Sequence, residues 1–227
     1  MDFRFDIIYE YREMFWTGAK YTLGLTAFAV AVGTVLGLIG ALCRLANFEK
    51  GNIVLRTLGW FLRTVSLLYV TLFRGTPLFV QIFIWHFIWS VALINPTDGW
   101  IISGELAREL RKEYGALIAG ALALSTNAGA YITEIFRAGI QSIDRGQVEA
   151  ARSLGLNYAQ AMRHVILPQA TRRMLPPFGN EFITLLKDSS LVSAIGVAEL
   201  AYVARTVSGR FSIYGEPYYT IALIYLV

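Results

Sequence analysis

Long apolar runs, separated by shorter charged segments, are the sequence feature that most constrains the fold of this chain. Its 227 residues are 56% hydrophobic and only 16% charged, whereas a soluble domain carries about 25% charged residues. A run of about 20 apolar residues can cross a bilayer as a helix. A transmembrane β-barrel would instead show alternating segments of about ten residues, and the sequence has none. We therefore predict an all-α polytopic bundle of transmembrane helices.

About five spans are expected, with residues 1–227 forming a single membrane domain, because no repeat or low-complexity linker divides the chain. The apolar runs are Thr17–Cys43, Thr64–Ile94, Tyr114–Phe136, Pro176–Ile195 and a last run that begins near Tyr218. The last run covers about half a span when the sequence stops at Val227. We expect this span to be truncated and the protein to continue.

The run Thr64–Ile94 is too long for one upright helix and contains a predicted break at Gly75 and Pro77. A hairpin and a single kinked crossing are both compatible with that break. Charge decides between them, because cytoplasmic connections carry excess Lys and Arg. The connections Arg44–Arg63 and Arg137–Arg173 are both basic, whereas acids outnumber bases in Asn95–Glu113. A single crossing puts both basic connections in the cytoplasm, which predicts an N-terminus outside.

The second basic connection contains a segment, residues 144–168, that is predicted to be helical rather than a loop. Gln147–Leu154 favours a helix ended by a glycine, and Asn157–Val165 favours a second helix that Pro168 stops or restarts. Alanines and leucines give the segment a small apolar ridge, and three charges flank it. The residues expected to dock on a partner are Arg145, Glu149, Ala150, Ala151, Arg152, Leu154, Gly155 and Leu156. An amphipathic helix resting on lipid is the alternative.

Ionisable residues inside spans are costly unless they face a partner or a cavity. Two stripes of polar residues at helical spacing are therefore candidates to line a cavity, one in the fourth span and one in the third. The candidate substrate contacts are Glu181, Asn127, Lys187, Thr184 and Tyr131. A carboxylate at Glu181 would receive an amino group, and Lys187 would receive a carboxylate. The alternative is structural, with Lys187 and Asp188 at the interface and Glu181 paired to a neighbouring helix.

Residues 149–168, EAARSLGLNYAQAMRHVILP, resemble the EAA motif of ABC importer permeases, EAA-xxx-G-x9-I-x-LP. Val165 stands where that motif has Ile. Four further stretches resemble the polar amino-acid branch, which takes up glutamine, arginine, histidine or glutamate. They are RGTPLFVQ (Arg74–Gln81), AYITEIFRAGIQSID (Ala130–Asp144), LPQA (Leu167–Ala170) and GNEF…LK (Gly179–Lys187). The resemblance runs from about Thr17 to the end of the sequence, and the stretch Ile94–Tyr114 departs from the shortest members as a longer outer segment.

The resemblance implies a type I importer in which segment 144–168 forms coupling helices seated in an ATPase. It implies these partners: two ABC ATPase subunits that use ATP and Mg²⁺, a second permease chain, identical or different, an extracytoplasmic substrate-binding protein, and an amino-acid substrate. It also implies a multi-pass protein of the bacterial inner membrane. The sequence agrees that the motor lies elsewhere, because no G-x-x-x-x-G-K-[ST] phosphate loop is present.

Other classes fit less well. Cys43 is the only cysteine, and neither histidine shows metal-ligand spacing, so no metal site is predicted. No convergent catalytic set or own cofactor is expected, which argues against a membrane-embedded enzyme. The modest net charge of +4 matches membrane topology better than nucleic-acid binding. An ion-coupled transporter or passive channel for amino acids or small solutes remains the alternative function.

Overall fold

The structure is a computed structural model that describes residues 4–46 and 52–226. Within those ranges the chain is helical and forms no strand, which confirms the all-α prediction there. The helices are α1 (Phe5–Glu10), α2 (Arg12–Leu45), α3 (Ile53–Gly75), α4 (Leu78–Ile84), α5 (Ser90–Leu93), α6 (Gly104–Gln141), α7 (Arg145–Ser153), α8 (Tyr158–Ala161), α9 (Leu167–Asp188), α10 (Leu200–Phe211) and α11 (Gly215–Leu226). A π-helical turn, Trp85–Trp89, joins α4 to α5, another, Met162–Ile166, joins α8 to α9, and a 3₁₀ turn, Ser189–Ile195, follows α9.

Three described helices are long and apolar enough to cross a membrane: α2 with 34 residues, α3 with 23 and α6 with 38. The helical stretches Tyr158–Ile195 and Leu200–Phe211, which meet at a bend of 49°, make a fourth candidate if they form one broken span. Leu78–Leu93 is apolar but shorter. Five spans and an outside N-terminus remain predictions.

The predicted single kinked helix over Thr64–Ile94 is wrong in its boundaries. Helix α3 begins at Ile53, ends at Gly75 and is long enough to span by itself, and α4 begins separately at Leu78. The cause is Pro77, whose ring disfavours helical geometry in the preceding residue and which has no N–H to continue the ladder. Pro77 adopts φ −62° and ψ 133° and becomes the N-cap of α4.

Two predicted connections are also shorter than expected. Arg56 and Arg63 lie on α3 rather than in a loop, and residues 47–51, which include the predicted loop charges Glu49 and Lys50, lie outside the described residues. Helix α6 begins at Gly104, so much of the predicted outer segment Ile94–Tyr114 is helical. The first turns of this helix carry several exposed charged residues, so their sequence contains no apolar run.

The chain divides into two compact units. The first unit comprises Met1–Ala31, Thr76–Ser125 and Thr184–Val227. One of its cores lies where α1, the start of α2, α10 and α11 pack together. The buried residues of this core are Ile7, Phe15, Leu200, Val203, Ala204, Val207 and Ile221.

The second unit comprises Val32–Gly75 and Thr126–Ile183. In it α2 and α6 pack closely and in parallel, because a Cβ added to Gly37 would meet the Ile132 side chain at 2.6 Å and one added to Gly40 would meet Thr133. Glycines at such crossings let helix backbones approach each other. The C-terminal ends of α2 and α6 consequently lie at the same end of this unit. This arrangement agrees with the prediction that the two basic connections share one side of the membrane.

Helix α3 returns antiparallel to α2 within the same unit. The Arg63 guanidinium donates to the carbonyl of Ala46 across 2.5 Å, and the Ser66 hydroxyl donates to the carbonyl of Gly40 across 2.9 Å. Apart from such contacts α3 is largely exposed along its length, as expected of a helix that presents most of its surface to lipid or to another chain.

Candidate functional site

Helix α7 of segment 144–168 is capped at both ends by local interactions. The Asp144 carboxylate accepts a hydrogen bond from the Gly146 N–H at 2.6 Å, as an N-cap residue does. At the other end the Leu156 N–H donates to Ala151 (3.1 Å) and the Gly155 N–H to Arg152 (3.0 Å). This pair of bonds is a Schellman motif, which needs a left-handed residue, and Gly155 has φ +82°. The turn is therefore fixed by its own sequence.

The two faces of α7 differ in what they contact. Val148 packs against the buried cluster of Ile143, Ile166, Ala170 and Met174, and Ala151 is only 4% exposed. The predicted ridge of exposed small residues is therefore wrong for Ala151, whose methyl group points inward one helical turn from Val148. Among the other residues predicted to dock, Leu156 is half-buried, whereas Arg145, Glu149, Ala150, Arg152, Leu154 and Gly155 are exposed.

Two large side chains project beside this turn. Leu154 is 84% exposed and Tyr158 is 68% exposed. Both side chains therefore form exposed apolar surface within four residues of each other. Sequence reasoning included Leu154 and missed Tyr158, although its position just after the N-cap Asn157 could have identified it.

The second helix of the segment begins as predicted and continues through Pro168, where a stop or a restart was predicted. Asn157 forms a capping box, accepting from the Gln160 N–H at 3.0 Å while the Gln160 side chain accepts from the Asn157 N–H at 2.9 Å. The helix then passes through the π-helical turn Met162–Ile166 and continues as α9. The wider π turn gives room near the Pro168 ring, which would otherwise crowd the preceding turn.

The helix that contains the predicted fourth span, Pro176–Ile195, begins earlier than that span. Pro176 and Pro177 lie inside α9, which begins at Leu167. The segment is held to this helix by polar contacts, because the Gln169 side chain donates to Gln147 at 3.3 Å and the Arg173 guanidinium donates to the Ser142 carbonyl.

The polar stripe of α6 meets the ends of α2 and α3. The Asn127 side chain is 6% exposed and donates to the Phe73 carbonyl at 3.2 Å, so it satisfies a backbone group in the last turn of α3. The Arg74 guanidinium lies over the Tyr131 ring, 5.1 Å from its centroid. The Tyr69 hydroxyl donates to the Thr126 carbonyl at 2.6 Å. These contacts join α6 to the break that follows Gly75.

Glu134 continues this stripe and binds two arginines. Its carboxylate accepts from Arg44 at 3.0 Å and from Arg137 at 2.7 and 3.0 Å. The pair with Arg137 joins residues three positions apart on one helix, whereas the pair with Arg44 joins residues 90 positions apart. Arg137 also donates to the Gln141 side chain.

The polar stripe of α9 is more open. Thr184 and Lys187 are exposed, whereas Glu181 and Asp188 are half-buried. Glu181 and Thr184 both take part in interactions within the structure.

Sequence reasoning missed a buried carboxylate at the bend before α10. Glu199 is 0% exposed and accepts hydrogen bonds from the N–H groups of Ala201 (2.9 Å) and Tyr202 (2.8 Å) and from the Tyr225 hydroxyl (3.0 Å). The Leu200 N–H donates to the Thr22 hydroxyl at 3.3 Å. The left-handed Gly196 (φ +90°), three residues before an acid, was the available signal. Among the described residues, no group of three His, Cys, Asp or Glu residues could hold a metal ion.

Comparison with known proteins gives consistent results. Residues 33–227 match the family described as binding-protein-dependent transport system inner membrane component. The probable glutamine ABC transporter permease protein GlnM of Bacillus subtilis is 34% identical over 97% of this chain and 89% of its own length. The glutamine transport system permease protein GlnP of Escherichia coli is 33% identical over 100% of this chain and 91% of its own.

Solved structures resemble the chain as well. A crystal structure of an amino acid ABC transporter with histidines has a TM-score of 0.76 and 38% identity, covering 100% of this chain and 92% of the matched one. An inward-facing MetNI methionine ABC transporter has a TM-score of 0.67 at 22% identity over 95% and 89% of the two chains, which is a likeness of fold.

Proposed function

Because this chain belongs to the family of binding-protein-dependent transport system inner membrane components, we propose that it forms the translocation pathway of an amino-acid ABC importer. The similarity to glutamine permeases covers nearly the whole chain, and a solved structure with 38% identity to this chain is an amino acid ABC transporter. The three candidate spanning helices suit a bacterial inner-membrane protein.

The observation that carries the proposal is the exposed turn at Leu154–Tyr158, which has a capped helix on each side. We propose that this turn and the outer face of α7 dock on an ABC ATPase, which supplies the ATP and Mg²⁺ chemistry. Exposed Leu154 and Tyr158 would fill an apolar groove. Arg145, Glu149 and Arg152 lie on one outer stripe of α7 at i, i+4, i+7 spacing, where charges would fix the register of docking.

The remaining partners follow from the same family membership. We propose two ATPase subunits, a second permease chain and an external binding protein, because the chain matches permeases of binding-protein-dependent systems. Helix α3, exposed along most of its length, offers surface for the second permease.

For the substrate path we propose that Glu181, Thr184 and Lys187 of α9 contact a polar amino acid. Thr184 and Lys187 are exposed, and the opposite charges of Lys187 and Glu181 suit a zwitterion. We propose a supporting role for Asn127 and Tyr131, because both side chains already have partners. The Asn127 amide donates to the Phe73 carbonyl, and the Arg74 guanidinium lies over the Tyr131 ring. Lys187→Gln should raise the KM for uptake more than it lowers the maximal rate.

The decisive experiment is ATP-dependent uptake by vesicles that contain the permease, its ATPase and its binding protein, screened across amino acids. Leu154→Asp should weaken ATPase binding about tenfold, as loss of one central interface side chain does, and reduce uptake in parallel. The matched control is Leu106→Asp, at a leucine that is 57% exposed in the first turns of α6, which should leave both unchanged.

Two outcomes would reject the proposal. Uptake that persists without ATP would favour a passive or ion-coupled transporter. Full ATP-driven uptake by the double variant Glu149→Lys, Gly155→Pro would show that the turn is not the docking site.

A further inference from the structure

An apolar groove of about 540 Å³ runs between the first half of α2 and the middle of α6. Its walls in α2 come from one helical stripe and in α6 from three apolar residues. The lining residues are Thr17, Lys20, Tyr21, Gly24, Leu25, Phe28, Leu117, Ile118 and Ala121. We propose that this groove holds an acyl chain of an anionic phospholipid, with Lys20 bound to its phosphate.

The position of the groove along α2 fits a lipid. Lys20 and Arg44 bracket a stretch of 23 residues without a charged side chain, which as a helix is about 35 Å long and matches the hydrocarbon thickness. Lys20 thus lies at the membrane interface, with Trp16 and Tyr21 beside it as interfacial aromatics. Phe28 lies about 12 Å further along the helix axis, inside the hydrocarbon. The groove therefore runs from headgroup depth toward the bilayer centre.

The chemistry of the groove changes along the same axis. Its outer end carries the Lys20 ammonium, which also lies 5.3 Å from the Trp16 ring centroid, and the Thr17 hydroxyl. The rest of its wall is hydrocarbon and aromatic. A cation at headgroup depth above an apolar channel complements a phosphate joined to an acyl chain. The volume lies within the range of about 300–1,000 Å³ that is typical of small-molecule sites.

The depth of the groove comes from a missing side chain. A Cβ added to Gly24 would meet no atom within 4 Å, so this glycine is not needed for helix contact and leaves open space one helical turn beyond Lys20. A larger residue there would fill the groove without a clash.

A second copy of the chain suits the groove less well. Nine residues line it, whereas a stable protein interface uses about 20–30 residues on each side. A single acyl chain needs no larger surface and is present at high concentration wherever α2 spans a bilayer.

The test uses the purified full-length permease in nanodiscs of phosphatidylglycerol, phosphatidylcholine or their mixture. Native mass spectrometry counts the lipids that stay bound, and a dibrominated form of each lipid measures relative affinity by quenching tryptophan fluorescence. Wild-type protein should retain at least one phosphatidylglycerol and prefer it over phosphatidylcholine about fivefold, the effect of one lysine near an anionic surface.

Two variants separate the headgroup from the chain. Lys20→Gln should abolish the preference for phosphatidylglycerol and keep a bound lipid, whereas Gly24→Leu should remove one retained lipid of either kind. Lys112→Gln is the matched charge control, at an exposed lysine outside the groove. Gly209→Leu is the matched glycine control, because its added Cβ would also meet nothing within 4 Å. Both controls should behave like wild type.

Three results would overturn the proposal. The first is an unchanged lipid count in Gly24→Leu, and the second is an unchanged phosphatidylglycerol preference in Lys20→Gln. The third is a change of oligomeric mass in Gly24→Leu without loss of lipid, which would assign the groove to a second chain. If Gly24→Leu does not fold, the Lys20→Gln result decides alone.

Discussion

Arg44, in the last turn of α2, is bound to Glu134 of α6 by an ion pair of 3.0 Å. Their side chains are only 20% and 19% exposed. The same carboxylate is bound by Arg137, so one negative charge compensates two guanidinium groups. The pair fixes the end of α2 against α6 shortly before α6 leads into α7.

Glu134→Gln should therefore destabilise the protein, by about 2 kcal/mol, because it leaves two partly buried arginines without a counter-charge. Denaturation of the purified permease, followed by circular dichroism, measures this. Glu105→Gln is the matched control, since Glu105 pairs with Arg108 at 3.2 Å with both side chains about 70% exposed, and its loss should cost under about 1 kcal/mol. Equal effects of the two variants would contradict a special role of Glu134.

Gly37→Ala should destabilise the chain, because its methyl group would lie 2.6 Å from Ile132 and force α2 away from α6. Gly24→Ala on the same helix has open space and should be neutral or stabilise by up to about 1 kcal/mol, the gain in helix propensity. The difference in midpoint temperature between the two variants is the measurement. A Gly37→Ala protein as stable as Gly24→Ala would show that the close packing is not required.

Glu199→Gln should also destabilise, by about 1–3 kcal/mol, because an amide offers one acceptor oxygen where the carboxylate serves Ala201, Tyr202 and Tyr225. Tyr225→Phe removes one of these donors and should cost less. A double-mutant cycle in unfolding experiments should give a combined loss below the sum of the single losses. Strict additivity would mean that the Tyr225 hydroxyl does not support the bend.

Gly155→Ala should strain the turn after α7, since φ +82° is unfavourable for a residue with a Cβ by about 1 kcal/mol. Gly155→Asn is the matched control, because asparagine tolerates the left-handed region. We expect the alanine variant to bind the ATPase more weakly than the asparagine variant and to unfold at a slightly lower temperature. Surface plasmon resonance with the purified ATPase compares the two, and equal affinities would refute the prediction.

Local sequence predicted those parts of the fold that local physics determines. The all-α class follows from apolar runs, and the caps at Asn157 and Gly155 follow from side chains and backbone freedom within a few residues. Helix boundaries were harder near the prolines, because a π turn precedes Pro168 and the helix continues through Pro176 and Pro177.

Contacts between distant residues could not be predicted from spacing. Asn127 sits on the expected polar stripe, yet its amide is committed to Phe73, 54 positions earlier. The stripe pattern predicts which residues are polar inside a span. It does not predict whether their hydrogen-bond partner is a solute or the end of a neighbouring helix. Glu199 was missed because its neighbours in sequence are apolar, and its hydroxyl partner Tyr225 comes from α11.

The uninterrupted helix that starts at Tyr158 has a mechanical consequence. Between Tyr158 and Glu181 the chain is helical throughout, a rod of about 35 Å. No loop interrupts the helix between the Leu154–Tyr158 turn and Glu181, so a displacement of the turn would be transmitted to Glu181 through hydrogen-bonded backbone. The bend of 49° comes only later, after Ile195, so Tyr158 and Glu181 belong to one continuous helical stretch.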